Sequence, residues 1–490
     1  DKENHFLDNA TYAPVDKETH EECEVVGILP EAVCGEYARN GPNPRFSPTG
    51  GYHWFDGDGM VHGVRIKAGK ATYANRFVRT KKLAAEEEAG KPLALKIGDL
   101  GSRLALLKVL VYALKKKLGV VPAFEQELET TANTSLEYHA GRLFALGEGG
   151  MPYALRVMCD GVIETIGKAS FGGEMKTEFT AHPKKDPATG KLHAFGYQMN
   201  DMTKPFVTYY VLDVDGKIER QFPINVARAT MMHDFAITEN YALFMDLPVM
   251  IKPELMMTDK IPIVFDKNAG ARRGIRDGYV MGLLPLDATD SSSIRWFDIP
   301  EAFMAFHVLN AWEDNIEVDG SDGAAPTSQS VVKIVTCDTF ELNMDFSKVV
   351  KNISAEMLPQ LHTTTLNLDT GKASRAAVMP PSPTRGFDFP QLRRSLVGRK
   401  NRFGYTAGFD RTDGGPTASI FTTDIPHRTI PQAATPETAY VGHIDLGDSV
   451  GGEALFIPSN PDDDVLGGEG EEDDGFLVAF VTPKDGGNSG

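Results

Sequence analysis

The 490-residue chain carries 68 acidic and 50 basic side chains, a net charge of −18. That balance excludes a nucleic-acid binder, whose contact face is basic, and favours a soluble monomer kept apart by self-repulsion. Cys23, Cys34, Cys159 and Cys337 are scattered without a CxxC, so neither a disulfide framework nor a cysteine metal site is expected, and a reducing compartment is. The sequons at Asn9, Asn133 and Asn352 then read as chance matches, and no apolar run reaches the ~18 residues of a spanning helix. The first residue is Asp1 rather than Met, so a removed leader or a trimmed chain stays open.

In chain order, short apolar strands alternate with glycine-containing turns. Segments 62–78, 141–157, 189–199 and 206–222 carry AGK, GEGG, TGK or DGK beside alternating residues, which is hairpin chemistry. Segments 240–249 and 473–481 read as single strands of the same kind. Strands recurring over nearly the whole length predict an all-β fold, a propeller or large barrel. One segment breaks the pattern. Over residues 100–118, Leu104, Leu107, Val111, Leu114 and Leu118 recur at helical steps, flanked by Arg103, Lys108 and Lys115 to Lys117. That helix reads either as a cap packed on the sheet or as an amphipathic element resting on a membrane, apolar face down and lysines near headgroups. The apolar stretch LPVMIKPELMM (247–257) favours the second reading. Residues 317–330 and 459–475 read as loops, the latter acidic and without the ordered ligand spacing of a calcium loop.

Three histidines sit among apolar and acidic residues: His182 in FTAHPK, His233 in ATMMHDFAITENY and His307 in AFHVLNAWED. They are 51 and 74 residues apart, too far for a local metal loop, so only a large scaffold could unite them. If it does, an imidazole-only metal centre is the natural reason, since imidazole suits Fe, Zn, Cu or Ni. Taken singly, each also reads as a core histidine. Ligating imidazoles usually donate their second ring N–H to a carboxylate. Candidates are Asp234, Glu313, Asp314, Glu148 in LGEGG and Glu453 in GGEALFIP, the last two set in apolar segments where an unpaired acid is costly.

The strings ARNGPNPRFSPTGGYHWFDGDGMVHGVRI (38–66), FTAHPK, MMHDFAITENYALFMDLP (231–248), IRWFDIP (294–300) and GGEALFIP (451–458) resemble the carotenoid cleavage dioxygenases. The likeness runs from about Phe6 to the end and is strongest to the plant-type enzymes that cut carotenoids and apocarotenoids at the nine–ten double bond. It implies a single domain over 1–490, a seven-bladed β-propeller with an α-helical lid on its top face (about 100–121). It further implies Fe(II) held by four histidines, with O₂ as cosubstrate and two carbonyl products. His182, His233 and His307 match the first three ligands. Glu148 matches the acid that orients the second, Asp388 (in GFDFPQL) the acid that orients the third, and Glu453 the acid that orients the fourth. Many members carry Glu where Asp388 stands, so a loosened or water-bridged contact is expected there. Thr134 matches a position facing the open coordination site of iron, and Phe306 a substrate-tunnel aromatic, though simple strand packing serves for Phe306 equally.

The fourth ligand of the family, in a GFH-like motif after the DDGFL strand, has no match before Gly490. His427 and His443 lie in other contexts. A chain cut before that motif and its closing strand is expected; a three-histidine centre should hold iron weakly. Partners are a carotenoid or apocarotenoid and, peripherally, a membrane; residence is cytoplasmic or, alternatively, plastid. Three other functions fit the same residues: a stilbene-cleaving dioxygenase, a retinoid-type isomerohydrolase, and a non-enzymatic β-propeller binding module.

Overall fold

The computed structural model describes residues 13–48, 53–101, 104–124, 129–175, 177–197, 207–226, 230–258, 260–267, 279–318, 325–342, 344, 354–410, 418–424, 439–447, 449–468 and 470–483. Six four-stranded antiparallel sheets follow one another along these residues. The first comprises His20–Cys23, Gly35–Asn43, Asp58–Lys67 and Lys70–Phe77; the second, Ser135–His139, Arg142–Leu146, Tyr153–Val157 and Ile163–Lys168. The third is built from Lys184–Lys185, Leu192–Tyr197, Val207–Leu212 and Ile218–Ile224. The fourth contains Ala236–Ile237, Tyr241–Asp246, Tyr279–Pro285 and Arg295–Ile299. Met304–Val318, Thr327–Thr339, Gln360–Asn367 and Ala373–Ala377 form the fifth. Arg385–Gln391, Phe403–Asp410, Ala418–Asp424 and Tyr440–Asp445 form the sixth.

The predicted turns act as read. Ala68 and Gly69, both at positive φ (51° and 73°), join Asp58–Lys67 to Lys70–Phe77 in the mirror-image turn that suits twisted strands. In 141–157 the connection is longer, and Glu148 sits on it. Two expectations change. Segment 473–481 is not one strand: Gly475–Val478 pairs with Leu455–Pro458, while Val481–Pro483 pairs with Ser449–Gly451. The loop expected at 317–330 is partly strand, because Met304–Val318 and Thr327–Thr339 run to its edges, with 319–324 outside the described residues.

Each sheet buries its faces against its sequence neighbours. Val61 of the first meets Ala145, Tyr153 and Leu155 of the second. Phe144 and Leu146 of the second meet Leu192, Ala194 and Tyr210 of the third. Tyr209 and Val211 meet Phe244 and Leu284 of the fourth, and Leu243 and Phe297 meet Val332, Ile334 and Leu366 of the fifth. Trp312 and Val335 meet Phe387 of the sixth, and Phe403 and Tyr405 meet Phe456 beyond it. Burial on both faces explains the continuous apolar runs of inner strands such as VTYYVL at 207–212. Edge strands of neighbouring sheets also pack side by side: Gly35–Asn43 with Ser135–His139, Ala236–Ile237 with Met304–Val318, and Met304–Val318 with Arg385–Gln391.

The predicted helix is Ala105–Lys117, with Arg103 outside the described residues. Its buried side chains are Ala105 and Tyr112, whereas the predicted stripe points outward: Leu104, Leu107, Val111, Leu114 and Leu118 are 41–67% exposed. The reading of a cap with its apolar face on the sheet is thus corrected. Lys108 Nζ reaches Asp99 Oδ1 at 2.8 Å, tying the helix to Ile97–Leu100, whose first amides Ile97 N and Gly98 N donate to Asp56. The 247–257 patch divides. Leu247 and Val249 are buried in the core, while Met257 is 75% exposed beside the helix on the short turn Pro253–Thr258. No described helix is long and apolar enough to cross a membrane.

Candidate metal centre

His182 lies two residues before Lys184–Lys185, and its backbone N–H donates to Thr180 Oγ1 at 3.0 Å. His233 lies three residues before Ala236–Ile237. His307 is inside Met304–Val318, where the ladder to Thr327–Thr339 shifts register between Ala305 and Val308 and again between Val308 and Asn310. A bulge re-aims a side chain out of strand alternation; here His307 stands beside His182 and His233. A second irregularity, between Asp388 and Gln391 of Arg385–Gln391, lies opposite it. There Phe389 adopts φ 52° and its N–H donates to Asp388 Oδ1 at 2.8 Å.

These local features bring together three imidazoles from three consecutive sheets, with ligand-capable atoms all within 4.8 Å of one another. His182 Nε2 and His233 Nε2 are 3.0 Å apart. His233 Nδ1 is 2.8 Å from Glu148 Oε2, and His307 Nδ1 is 2.7 Å from Asp388 Oδ1. A carboxylate accepts, so both Nδ1 atoms carry hydrogen, and in the neutral ring the lone pair then sits on Nε2. Burial, reinforced by the neighbouring imidazoles His233 and His307, holds His182 well below the ordinary histidine range and thus neutral. Burial also works against a charged His307, but Asp388 outweighs it and the imidazole is shifted upward.

Neutral His182 and Glu148-bound His233 thus aim nitrogen at nitrogen, a contact that needs a cation or proton between them. The donor set is nitrogen only, with charge supplied from behind by carboxylates, which fits a borderline divalent ion such as Fe(II).

The Asp388 contact is direct, so the expected loosening by its shorter arm does not occur; the irregular strand brings the carboxylate in. Cys337, buried behind it, donates its thiol hydrogen to Asp388, and burial pushes that thiol well up. Phe306 packs edge-on against His233, ring centres 5.1 Å apart, and Phe55 lies 6.4 Å beyond. Phe389 covers His307 at 5.2 Å. Thr134 lies elsewhere in its bonding: its hydroxyl donates to Asn133 Oδ1 at 3.0 Å, and Asn133 in turn donates to Phe55 O and Gly57 O. Glu453 is exposed and accepts from Gln391 Nε2 at 2.7 Å. His443 sits on Tyr440–Asp445 opposite Phe421, apart from the cluster, and His427 lies outside the described residues.

Of the other acids near the histidines, Glu313 accepts from Thr238 and Asn240, and Asp314 from Lys333. Neither touches an imidazole. Asp234 takes backbone N–H groups and Lys184 instead. Sequence reading missed Tyr197, whose hydroxyl donates to Glu148 Oε1 at 2.9 Å. Its only sequence signal is a tyrosine closing the buried strand LHAFGY.

The retinal pigment epithelial membrane protein family, RPE65, matches residues 12–490. The chain belongs to this family, the carotenoid oxygenases. It is 38% identical over 494 residues to carotenoid 9,10(9′,10′)-cleavage dioxygenase 1 of Pisum sativum, spanning 99% of this chain and 84% of that one. Identity is also 38% to carotenoid 9,10(9′,10′)-cleavage dioxygenase of Crocus sativus, over 99% of this chain and 83% of that one. It is 34% to a chloroplastic 9-cis-epoxycarotenoid dioxygenase of Oryza sativa, over 96% and 68%. The fold is that of lignostilbene dioxygenase from Pseudomonas brassicacearum (24% identity, TM-score 0.74, covering 98% of this chain and 90% of that one). It is also that of the cobalt-substituted apocarotenoid oxygenase of Synechocystis (22%, TM-score 0.71, 98% and 90%).

Proposed function

We infer that this protein is an oxidoreductase that cleaves a conjugated double bond of carotenoids or apocarotenoids, at the nine–ten position named for its plant relatives. The observation that carries the reading is the set of three convergent imidazoles, two of them bonded at Nδ1 to carboxylates, beside an aromatic wall in a chain 38% identical to such enzymes. His182, His233 and His307 would hold Fe(II), with Glu148 and Asp388 fixing the tautomers of the last two. Bound there, the iron supplies dioxygen activation, which a polyene without acidic protons or polar handles requires.

The chain's own residues do the rest. Phe306, edge-on to His233, and Phe55 behind it offer an apolar face along which a polyene lies, so position rather than polar recognition selects the bond cut. Glu148 and Asp388 keep both Nδ1 protons in place, so the ring nitrogens facing the interior remain acceptors. Thr134 and Glu453 are assigned by family likeness to the iron's open side and to a fourth histidine. The six sheets and the two strand pairs after residue 448 are read as seven blades of one propeller domain over 1–490, with Ala105–Lys117 on its lid. That helix, its leucines outward and Lys115 to Lys117 in its last turn, would rest a monomer on a membrane holding the substrate. Cytoplasm is the residence proposed, with the plastid of the epoxycarotenoid-cleaving relative as the alternative.

Product analysis under ¹⁸O₂ with a carotenoid, an apocarotenal and a hydroxylated stilbene tests this. Labelled carbonyl products from the polyenes are expected. Turnover of the stilbene alone would make it a stilbene-cleaving enzyme, and geometric isomerisation without label an isomerohydrolase. In parallel, His233→Ala should abolish metal retention and turnover together.

A further inference from the structure

All three histidine-bearing segments meet at one carboxylate that touches none of the imidazoles. Asp234, only 2% exposed, follows His233 directly. Its Oδ1 accepts from Phe235 N at 2.8 Å and lies 2.7 Å from Lys184 Nζ, two residues after His182. Its Oδ2 accepts from Val308 N at 2.8 Å, one residue after His307. Val308 lies in the bulged stretch where the ladder shifts register on either side of it, so its amide needs a partner if it is to stay buried. A buried carboxylate with a single ammonium and two amide donors is well compensated, and it leaves no freedom between the segments it joins.

We propose that Asp234, with Lys184, is the positioning pair that fixes the three ligand segments relative to one another, so that the imidazoles stand in place before a metal arrives. The proposal rests on the metal-centre reading above. It gives Asp234 a role distinct from the carboxylates that orient single rings: those set tautomer and ring angle, whereas this one sets the spacing between backbones. Lys184 supplies the link to the first segment, which has no carboxylate on its imidazole among the described contacts. Losing the charge on either member should loosen His182 first, since Asp234 holds its segment through the ammonium and not through a backbone amide.

The test is cobalt(II) and iron(II) binding to the metal-free full-length protein, with affinity, release to a chelator and the ligand-field spectrum of the cobalt form as readouts. Asp234→Asn and Lys184→Met should each weaken binding by about 10–100-fold and speed release, and the double variant should lose little more than either alone. Ile163→Ala, in the cluster around Val61 and Leu155 away from the histidines, sets the effect of lowered stability by itself. Should Asp234→Asn fail to fold, Lys184→Met decides, because it leaves the amide contacts of Asp234 intact. Folded variants that match the unmodified protein in affinity, release and spectrum would overturn the pair, as would Ile163→Ala weakening metal binding equally at equal loss of Tm. If the unmodified protein takes up no metal, the metal-centre reading fails instead.

Discussion

Tyr197 and Glu148 are joined by a 2.9 Å hydrogen bond that uses the carboxylate oxygen left free by His233. Burial, then the nearby Glu148 charge, pushes the Tyr197 phenol well above its ordinary range, so it stays a donor at any working pH. Tyr197→Phe should therefore release one side of Glu148 and lower turnover about tenfold, the worth of one hydrogen bond to a charged group. Glu148→Gln should cost about 10–100-fold, because the amide no longer guarantees the His233 tautomer. Steady-state kinetics with metal content measured on the same samples check both. Unchanged metal affinity and rate in Tyr197→Phe would show that His233 alone holds the carboxylate.

The direct 2.7 Å contact between Asp388 and His307 sets a contrary expectation for a substitution that the family likeness would call harmless. The irregular strand has already closed the distance that a longer side chain would span. Asp388→Glu must push an extra methylene against Phe389 and Cys337, at a typical cost of about 1–3 kcal/mol. Asp388→Glu should weaken metal retention and Asp388→Asn weaken it further. Equal or better retention with Glu, measured by cobalt titration, would show that the strand relaxes freely.

The outward leucines of Ala105–Lys117 make a separable prediction. Leu107→Glu with Leu114→Glu places two charges on a face that is 55–56% exposed, so thermal stability should stay within about 0.5 kcal/mol. Flotation with anionic vesicles should drop sharply, while turnover of detergent-solubilised substrate persists. Undiminished flotation would leave this face without a membrane role.

Asp56 accepts from Ile97 and Gly98 ahead of the same helix, and burial raises its carboxyl to about 6 against those two amide bonds. A folded-state value above the unfolded one means the native form holds the proton more tightly. Its contribution is complete below pH ~4 and is lost as pH rises through about 6. The stability of the natural chain relative to Asp56→Asn should accordingly fall by on the order of 3 kcal/mol between pH 4 and 7. Urea melts of both proteins across that window check it; a flat difference would mean that the carboxyl is not strained by burial.

A buried ion pair that touches none of the three clustered imidazoles offers a stability test. Arg375 binds Asp338 and Glu301 and lies 3.8 Å over the Phe303 ring, while Asp338 is fully buried. Arg375→Ala should destabilise by about 3–5 kcal/mol, because it strands a carboxylate inside the fifth sheet. Metal binding by the folded fraction should be unaffected.

The sequence by itself determined whatever depends on neighbours along the chain. Turn residues such as Ala68–Gly69 and strand alternation announced an all-β fold. The three- and four-residue steps of leucine and valine announced a helix over 100–118, where Ala105–Lys117 forms, and the long motifs around His182, His233 and His307 identified the ligand candidates. Tertiary structure decided what depends on residues far apart meeting. Whether the leucine stripe faces core or solvent, and whether Asp388 reaches His307, follow from where the bulges and sheet contacts put backbone. Asp234 is the sharpest case. Its place beside His233 suggested a ring partner, but its carboxylate instead collects groups from segments 50 and 74 residues away. Spacing along a chain carries no information about such a meeting, because a three-dimensional contact is fixed by the packing of successive sheets.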